Sequence, residues 1–360
     1  MKTVLMVGAD VHDGSIVTKT AAGVEESRRN SWRNWSLGRK AMIAGLKKMA
    51  SEKGAEQVVF VYEASGVGFG LHDELKEAGI ECFVLAPTKV QRSVQEKRQK
   101  TDDKDAERAL TALRSHLLAG APLPKVWVPD PETRDDRELV RARLDVGKKL
   151  TTEKAQVRCL LKRNGIEKAE EAGKTWTRVF RKWLDSLTRG EKMGWGAQCA
   201  LATLLRQIES LEKEEKSLDV LIEELSETPR HKEKVGELVG WSGVGLLVAI
   251  VFLTEMGDLK RFRNRRQVGA YLGLVPSSHE SGESDDRKGH ITRQGSPRLR
   301  KVLCQAAWAR IRTNAKEREA YDRIVARNPK HRKIAVVAVM RRLGIRLWHA
   351  AMEAPTKTGA

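Results

Sequence analysis

The first third of the chain carries apolar runs whose length and spacing favour an α/β sheet domain. Thr3–Ala9 is a nearly continuous apolar run that stops at Asp10, which predicts a buried central strand. Gln57–Tyr62 and Glu81–Leu85 predict two more buried strands, and Leu71–Ala78 between them has the spacing of a helix. Strand, helix and strand in this order indicate a sheet with parallel pairing.

Weaker patterns fill the rest of this region. Ser15–Thr20 and Gly23–Glu26 are candidates for two further strands. Ala41–Lys53 and Ala106–Leu118 place their apolar residues at helical spacing. Four prolines follow within Gly120–Pro131, a composition that is typical of a linker.

Long, highly charged helices are predicted after this linker. Apolar residues recur at heptad spacing from Leu204 to Leu225, and Glu215 interrupts the series at a core position. A looser apolar series from Leu139 to Leu160 provides a partner for it. The pattern predicts an antiparallel or intermolecular coiled coil, which would dimerise the chain or separate two domains.

Short apolar helices, glycine-rich turns and arginine clusters alternate from Val235 onward. Leu238–Asp258 has the pattern of a helix, a glycine-rich hairpin and a second helix. Gly243 and Gly245 would let backbone N–H groups approach a phosphate of nucleic acid at a helix N-terminus. A tight turn between two core helices is the alternative interpretation of the same glycines.

Along the chain, these patterns predict four segments. Residues 1–120 would form the α/β domain, and residues 121–234 the linker and the coiled-coil helices. Residues 235–354 would form a mainly α-helical C-terminal domain with a helix-hairpin-helix-like segment, and residues 355–360 a short tail.

The composition indicates which kind of partner the protein binds and in which cellular compartment it works. The 67 Lys and Arg against 48 Asp and Glu give a net charge of +19, which attracts a polyanion, most commonly nucleic acid. The four cysteines are far apart and form no CxxC pair, which argues against a zinc site or a disulfide framework and fits a reducing cytoplasm. The longest apolar stretch, Val244–Leu253, is about half the length of a membrane span, so we expect no membrane partner.

Four carboxylates stand at positions that the predicted fold would bring together. Asp10 and Glu63 each end a predicted strand, and the ends of adjacent parallel strands lie side by side. Asp102 and Asp105 share one helical face at the start of a helix. Converging carboxylates repel unless cations neutralise them, and hard oxygen ligands suit Mg²⁺ or Mn²⁺, which can clamp a phosphodiester. Taken singly, Asp102 after Thr101 is equally well explained by helix capping.

A C-terminal segment combines a polar loop with a run of basic residues. Ser281 precedes Gly282 in that loop, and a serine beside arginines suits attack on a phosphodiester while the cations stabilise the phosphoryl oxygens. The residue types alone leave Ser277, Ser278 and Ser284 open as alternatives. The basic residues expected to contact nucleic acid are Arg287, Lys288, Arg293, Arg298 and Arg300.

These motifs together resemble the DEDD insertion-sequence transposases, the "one-ten" family. The likeness spans nearly the whole chain and is carried by VGADVH, YEASG, KTDDKDA, GWSGVG and LGLVPSSHESG…RKGHITRQGSPRLRKVL. It implies a RuvC-like (RNase H-fold) N-terminal domain, a coiled coil and a C-terminal transposase domain. By the same resemblance, the family's serine nucleophile falls on Ser281 and its four acids fall on Asp10, Glu63, Asp102 and Asp105.

The resemblance also implies a function. The chain would be a transposase or site-specific recombinase that cuts and rejoins donor and target DNA, with both domains forming one composite active site. An element-encoded structured RNA would guide the choice of DNA, and the coiled coil would hold a dimer or tetramer together in a bacterial or archaeal cytoplasm. Two departures from the family pattern concern details of RNA or DNA contact: His12 and Asp13 after Asp10, and ITRQGSPRLR without the more usual Lys and Asn.

Two other functions are compatible with the same residues. A RuvC-like nuclease would resolve branched DNA with metal-activated water, without using the serine. A covalent protein–DNA adduct therefore separates a recombinase from this nuclease. A non-catalytic RNA- or DNA-binding scaffold would show no metal-dependent strand cleavage.

Overall fold

The structure is a computed structural model that describes residues 3–87, 101–279, 287–327 and 329–354. The chain divides into two compact units, Met1–Val128 and Pro129–Ala360. The first unit holds a five-stranded mixed sheet with helices, and the described part of the second is mostly helical with a two-stranded hairpin. The α/β start and the helical remainder predicted from the sequence are therefore confirmed.

The sheet of the first unit consists of β1 (Val4–Val11), β2 (Ser15–Ala22), β3 (Arg28–Arg33), β4 (Gln57–Glu63) and β5 (Glu81–Leu85). Its strand order is β3-β2-β1-β4-β5, with β1 antiparallel to β2 and parallel to β4, and β4 parallel to β5. The predicted parallel pairing of the three buried strands is confirmed, and the sheet is compatible with an RNase H-like fold. The helices of this unit are α1 (Ser36–Glu52), α2 (Gly70–Glu77) and α3 (Asp102–Ala119).

The two faces of this sheet have separate cores. Side chains alternate between the faces along a strand, so neighbouring residues of β1 enter different cores. Leu5 packs with α1 and α2, whereas Met6 packs with Leu110 of α3. Gly8 and Asp10 follow Met6 in the same alternation. Asp10 therefore lies on the face that α3 covers.

The strand predicted at Gly23–Glu26 is wrong. This segment is the turn and loop between β2 and β3, and Gly23 has a φ of +64°. The strand lies at Arg28–Arg33 instead, at the edge of the sheet. Its residues are polar apart from Trp32, and only Asn30 and Trp32 are partly buried, so no apolar alternation marks the strand in the sequence.

The proline-rich segment after α3 runs along the other edge of the sheet. The backbone N–H of Ala86 donates to the carbonyl of Pro124 at 2.9 Å. The N–H of Val126 donates in turn to the carbonyl of Val84 at 2.7 Å. The predicted linker is thus attached to β5 over part of its length.

Within the described residues, the second unit consists of α4 (Pro131–Arg163), α5 (Arg178–Leu187), α6 (Trp195–Ser226), α7 (Lys232–Val239), α8 (Leu246–Met256), α9 (Arg265–Tyr271), β6 (Pro276–His279), β7 (Arg287–Ile291), α10 (Pro297–Thr313), α11 (Ala315–Arg327) and α12 (Arg332–Glu353). Helices α4, α6, α7 and α10 pack against α8, in which residues 249–256 are all buried. No described helix is long and apolar enough to cross a membrane.

The long helices α4 and α6 pack against each other in antiparallel directions. Leu160 near the end of α4 shares a core with Leu201 near the start of α6. Glu215, which interrupts the heptad series, forms an ion pair with Arg143 in the first half of α4, with an Nη1–Oε1 distance of 2.9 Å. This pair explains how the seam accommodates a charge, while the coiled coil and its role in self-association remain predictions.

Candidate active site

The parallel pairing of β1 and β4 places the backbones of Asp10 and Glu63 on adjacent strands. Ala9 is in register with Tyr62, and Asp10 and Glu63 are the next residues of the two strands. Asp10 is also paired with Val17 of β2, so β1 continues for one residue beyond the carboxylate. The side chain of Asp10 is mostly buried, with 15% of it exposed.

The first turn of α3 supplies Asp102 and Asp105. Thr101 caps the helix, because its Oγ1 accepts a hydrogen bond from the backbone N–H of Lys104 at 3.3 Å. Asp105 is buried, whereas 51% of the Asp102 side chain is exposed. Asp102 can therefore reach a group that approaches from solvent, and Asp105 belongs to the enclosed part of the cluster.

His12 joins the carboxylates of Asp10 and Asp102. Its Nε2 lies 3.1 Å from Oδ2 of Asp10 and 3.3 Å from Oδ1 of Asp102. One ligand atom from each of the three residues lies within 4.8 Å of the others, a spacing that could hold a metal ion. Carboxylate oxygens and an imidazole nitrogen suit a divalent cation such as Mn²⁺, and the oxygens alone suit Mg²⁺.

The carboxylates around Asp10 influence one another. Burial raises the pKa of the Asp10 carboxyl above its usual range, and the negative charges of Asp105 and Asp102 raise it further. His12 acts in the opposite direction without cancelling the shift. Asp105 also accepts a hydrogen bond from Arg108 one turn along α3. Burial and the neighbouring carboxylates thus disfavour the charged form of Asp10, and a cation bound beside it would favour that form.

Of the four acids predicted from the sequence, the structure brings together Asp10, Asp102 and Asp105. The possible metal ligands that lie together among the described residues are Asp10, His12 and Asp102, so neither Asp105 nor Glu63, which ends β4, belongs to this trio. His12 belongs to that trio, and sequence reasoning did not select it as a site residue. The available signal was its spacing of two residues from Asp10, which puts both side chains on one side of an extended chain.

The predicted nucleophile Ser281 and its alternative Ser284 lie outside the described residues. Ser277 is in β6, where its hydroxyl donates a hydrogen bond to the carbonyl of His290 at 3.1 Å. Ser278 is also in β6, and its backbone is in register with Lys288 of β7. The hydroxyl of Ser277 is thus used inside the hairpin, and the hairpin strands flank residues 280–286.

The basic residues predicted to contact nucleic acid have different environments. Arg287 and Lys288 belong to the backbone of β7. Arg298 lies 3.9 Å from a carboxylate oxygen of Asp145 in α4. Arg300 donates to the carbonyl of Gly295 at 3.1 Å, and burial followed by the charge of Arg293 lowers its pKa. Arg300 therefore stabilises the turn before α10, whereas Arg293 forms no ion pair with an acid of the described residues and lines a groove.

The glycines between α7 and α8 are held against α10. Gly243 has a φ of +84°, and a Cβ there would lie 2.7 Å from the carbonyl oxygen of Ala306. Arg310 of α10 donates to the carbonyl of Ser242 at 3.2 Å. Gly245 is exposed and precedes α8 as its N-cap. Close packing explains Gly243, and Gly245 presents the free end of a helix.

Comparison with known proteins assigns both halves of the chain to transposases. Residues 7–165 match the DEDD transposase model of the IS110 type, and residues 238–322 match the model described as the transposase IS116/IS110/IS902 family. The first match contains all four predicted acids, and the second contains the segment with Ser281.

Individual relatives agree with these matches. The chain is 32% identical to a putative transposase, y4qE, of Sinorhizobium fredii, over 81% of this chain and 68% of the relative. It is 27% identical to the transposase for insertion sequence element IS1533 of Leptospira borgpetersenii, over 86% of both. The mixed sheet, its acidic cluster and these likenesses define a transposase, an enzyme that cuts and rejoins DNA. The chain belongs to the IS116/IS110/IS902 family of transposases.

Proposed function

We propose that this transposase moves an insertion sequence through a serine-linked DNA intermediate, with divalent cations held by Asp10, Glu63, Asp102 and Asp105. The observation that carries the proposal is the convergence of Asp10, Asp102 and Asp105 from β1 and α3 around one mostly buried carboxyl group. A cluster of this charge costs free energy unless it serves to bind cations.

The residues present fit Mg²⁺ or Mn²⁺. Carboxylate oxygens are the preferred ligands of both ions, and Asp102 is exposed enough to coordinate an ion that a substrate phosphate also contacts. When bound, such ions neutralise charge on the phosphoryl oxygens and orient the scissile phosphate. The chain's own contribution is to hold the carboxylates in place: β1 fixes Asp10, and the capped first turn of α3 fixes Asp102 and Asp105.

Ser281 is the proposed nucleophile. Its hydroxyl oxygen would form a bond to the phosphorus of the scissile phosphate as the bond from phosphorus to the leaving DNA oxygen breaks. The serine proton ends on the leaving DNA hydroxyl. Attack by a hydroxyl from a second DNA end then reverses the chemistry, releasing the serine and joining new partners, so no external energy source is required. Neighbouring cations such as Arg293 would stabilise the charge that develops on the phosphoryl oxygens.

The remaining parts of the proposal concern assembly and guidance. The segments 1–120, 121–234 and 235–354 would act as the catalytic domain, the spacer and the serine-bearing domain. The antiparallel pair α4–α6 would support a dimer or tetramer, and the net charge of +19 supports binding to DNA and to an element-encoded guide RNA. Sequencing the RNA that co-purifies with the full chain tests this part: absence of RNA derived from the element would contradict guidance.

The metal site is tested by Asp10→Asn and Asp105→Asn, which keep side-chain shape and remove the charge that holds a divalent ion. We expect both variants to lose DNA cleavage in Mg²⁺ or Mn²⁺ while remaining folded and keeping most of their DNA affinity. Asp13→Asn is the matched control, because Asp13 is an exposed neighbour outside the cluster. Full cleavage by both variants would sink the assignment. Cleavage by the wild type without any covalent adduct would favour the nuclease that uses metal-activated water. No cleavage at all would favour the non-catalytic scaffold.

A further inference from the structure

The second unit contains a large groove of about 1870 Å³ between α9, the β6–β7 hairpin and α12. We call it the arginine groove, because seven arginines and two lysines line it. The arginines come from separate parts of the chain: Arg265 and Arg266 from α9, Arg293 after β7, and Arg332, Arg341, Arg342 and Arg346 from α12.

The polar side chains that line the arginine groove are all cationic or imidazole groups. Among the described residues, its lining includes no acid, no amide and no hydroxyl side chain. Arg265, Arg293 and Arg341 form no ion pair with a carboxylate within the described part of the chain. Among the described residues no carboxylate competes for these guanidinium groups, and a ligand that offers acceptor atoms and negative charge matches them. A phosphate is such a ligand, and the planar fork of arginine matches it in two hydrogen bonds.

A buried carboxylate holds two of these arginines in position. Glu317 of α11 is 5% exposed and accepts a hydrogen bond from Arg342 at 2.7 Å and another from Arg346. The positive charges of Arg342, Arg346 and Arg310 keep the pKa of Glu317 below its usual range against the opposing effect of burial. The wall of the groove is thus preorganised, so a ligand need not order these side chains when it binds.

One face of α12 forms the floor of the arginine groove. Val337, Arg341 and Ile345 recur every four residues on that face, while Val339 and Leu343 point into the core. The groove side of the helix from Arg332 to Arg346 is about 22 Å long at the helical rise, which matches about six phosphates of one DNA strand. Apolar side chains such as Val337 and Ile345 lie between the cations, and a ligand that displaces water from them would be attracted more strongly by the cations.

Gly269 of α9 allows the guanidinium group of Arg341, from α12, to lie close to the backbone of α9. A Cβ at residue 269 would lie 2.9 Å from Nε of Arg341, so the guanidinium group occupies the space that a side chain would need. Arg293 adds a second constraint, because its φ of 54° is an unfavourable backbone conformation for a residue with a side chain. The fold therefore seats Arg341 against the backbone of α9 and holds Arg293 in a strained backbone conformation beside the groove.

We propose that the arginine groove binds the phosphate backbone of duplex DNA beside the cutting site, without reading its sequence. DNA is favoured because β6 and β7, which form one wall, flank residues 280–286 with the proposed nucleophile; to that extent the inference rests on the proposed function. Backbone rather than base contact is favoured by the side chains: arginine can pair with guanine, but the described lining has no amide, acid or hydroxyl with which to read the other bases, whereas every phosphate accepts from arginine. A duplex is favoured over a single strand because no Phe, Tyr or Trp among the described lining residues offers a stacking surface.

The test measures binding of a labelled 30-base-pair duplex to the full chain in EDTA, where cleavage plays no part. Arg265→Gln with Arg341→Gln should weaken binding about tenfold at physiological salt and reduce the slope of log K against log salt by about 1.8. Arg265→Lys with Arg341→Lys retains the charge and should restore most of the salt slope. Arg312→Gln with Arg323→Gln removes two exposed arginines outside the groove and should change affinity less than twofold. Thermal melting checks that each variant is folded.

Two results would overturn the inference. One is an unchanged duplex affinity in the folded Arg265→Gln, Arg341→Gln variant. The other is a variant that binds the DNA duplex as the wild type does but has lost affinity for single-stranded RNA of equal length. That result would mean that the groove binds RNA. The proposed function can fail independently of this inference. If the wild-type chain never cleaves DNA, but the substitutions still weaken its binding to the duplex, the groove is confirmed as a DNA-binding site and the proposed chemistry is contradicted.

Discussion

Gly8 of β1 lies directly against the backbone of Leu110 in α3. A Cβ at residue 8 would be 2.2 Å from the Leu110 nitrogen and 2.4 Å from the carbonyl oxygen of Ala106. No side chain separates the strand from the helix at this point, so α3 can pack closely on the sheet. Asp10 follows two residues after Gly8, and Asp105 directly precedes Ala106. The close contact is therefore what brings the two carboxylates together.

We accordingly predict that Gly8→Ala separates α3 from β1. The added methyl group overlaps backbone atoms, so the free energy of unfolding should fall by about 1–3 kcal/mol. Binding of Mn²⁺ should weaken in the protein that remains folded, as Asp102 and Asp105 move away from Asp10. Melting curves and calorimetric titration measure the two effects. Gly14→Ala is the control, since a Cβ there meets no atom within 4 Å; equal behaviour of both variants would contradict the prediction.

The parts of this fold that the sequence predicts are those with strong local signals. Buried strands such as Gln57–Glu63 are recognisable in the sequence by an apolar run that ends at an acid. The strand at Arg28–Arg33 does not, because it is a polar edge strand whose place is set by pairing with β2. Local pattern therefore identifies the centre of the sheet better than its edge.

The candidate sites show the same division. Asp102 and Asp105 are recognisable from their shared helical face, but the bridging position of His12 depends on where α3 docks. The arginine groove depends on tertiary structure still more, because Arg265 and Arg341 are 76 positions apart in the chain. Glu317 similarly looks like an exposed helical acid until α12 is packed against α11. Residues that act through distant neighbours have no local signature.

A second prediction concerns the choice of metal. If His12 is a ligand, His12→Ala should reduce Mn²⁺ affinity by about tenfold or more, since loss of even an outer partner of a metal site has an effect of that order. Mg²⁺ affinity should change less, because Mg²⁺ prefers oxygen ligands. Titration calorimetry of both ions measures this, with Asp13→Ala as the control. Equal losses for the two ions would mean that His12 only positions the carboxylates, and no loss would remove it from the site.

A third prediction uses the pH dependence of stability in the helical unit. Glu212 of α6 pairs with Arg181 of α5 and with Lys154 of α4, the latter at 2.9 Å, and the hydrogen bonds from Arg181 lower its pKa from 4.5 to about 2. Because the pKa is lower in the folded state, the stabilisation is present above pH 4.5 and is lost as the pH falls towards 2.

Glu212→Gln should therefore lower the free energy of unfolding at pH 7 by roughly 1–2 kcal/mol, a figure reduced for the partial exposure of the pair. The difference from wild type should shrink as the pH falls from 4.5 to 3, as followed by thermal melting. Glu209→Gln removes an exposed acid of the same helix that pairs with Lys213, and it should have little effect. A difference that stays constant across this pH range would show that charge is not the source of the stabilisation.

The last prediction tests the proposed nucleophile. Ser281→Ala should remove any covalent protein–DNA adduct and stop strand exchange, because alanine lacks the oxygen that would form the bond to phosphorus. Divalent-ion affinity should be unchanged, since the proposed ion ligands are carboxylates of the first unit. Ser277→Ala is the matched control: its hydroxyl donates to the carbonyl of His290 within the hairpin, so its loss should leave the adduct intact. Denaturing gels with labelled DNA detect the adduct, and an adduct that survives in Ser281→Ala but disappears in Ser277→Ala would transfer the role to Ser277.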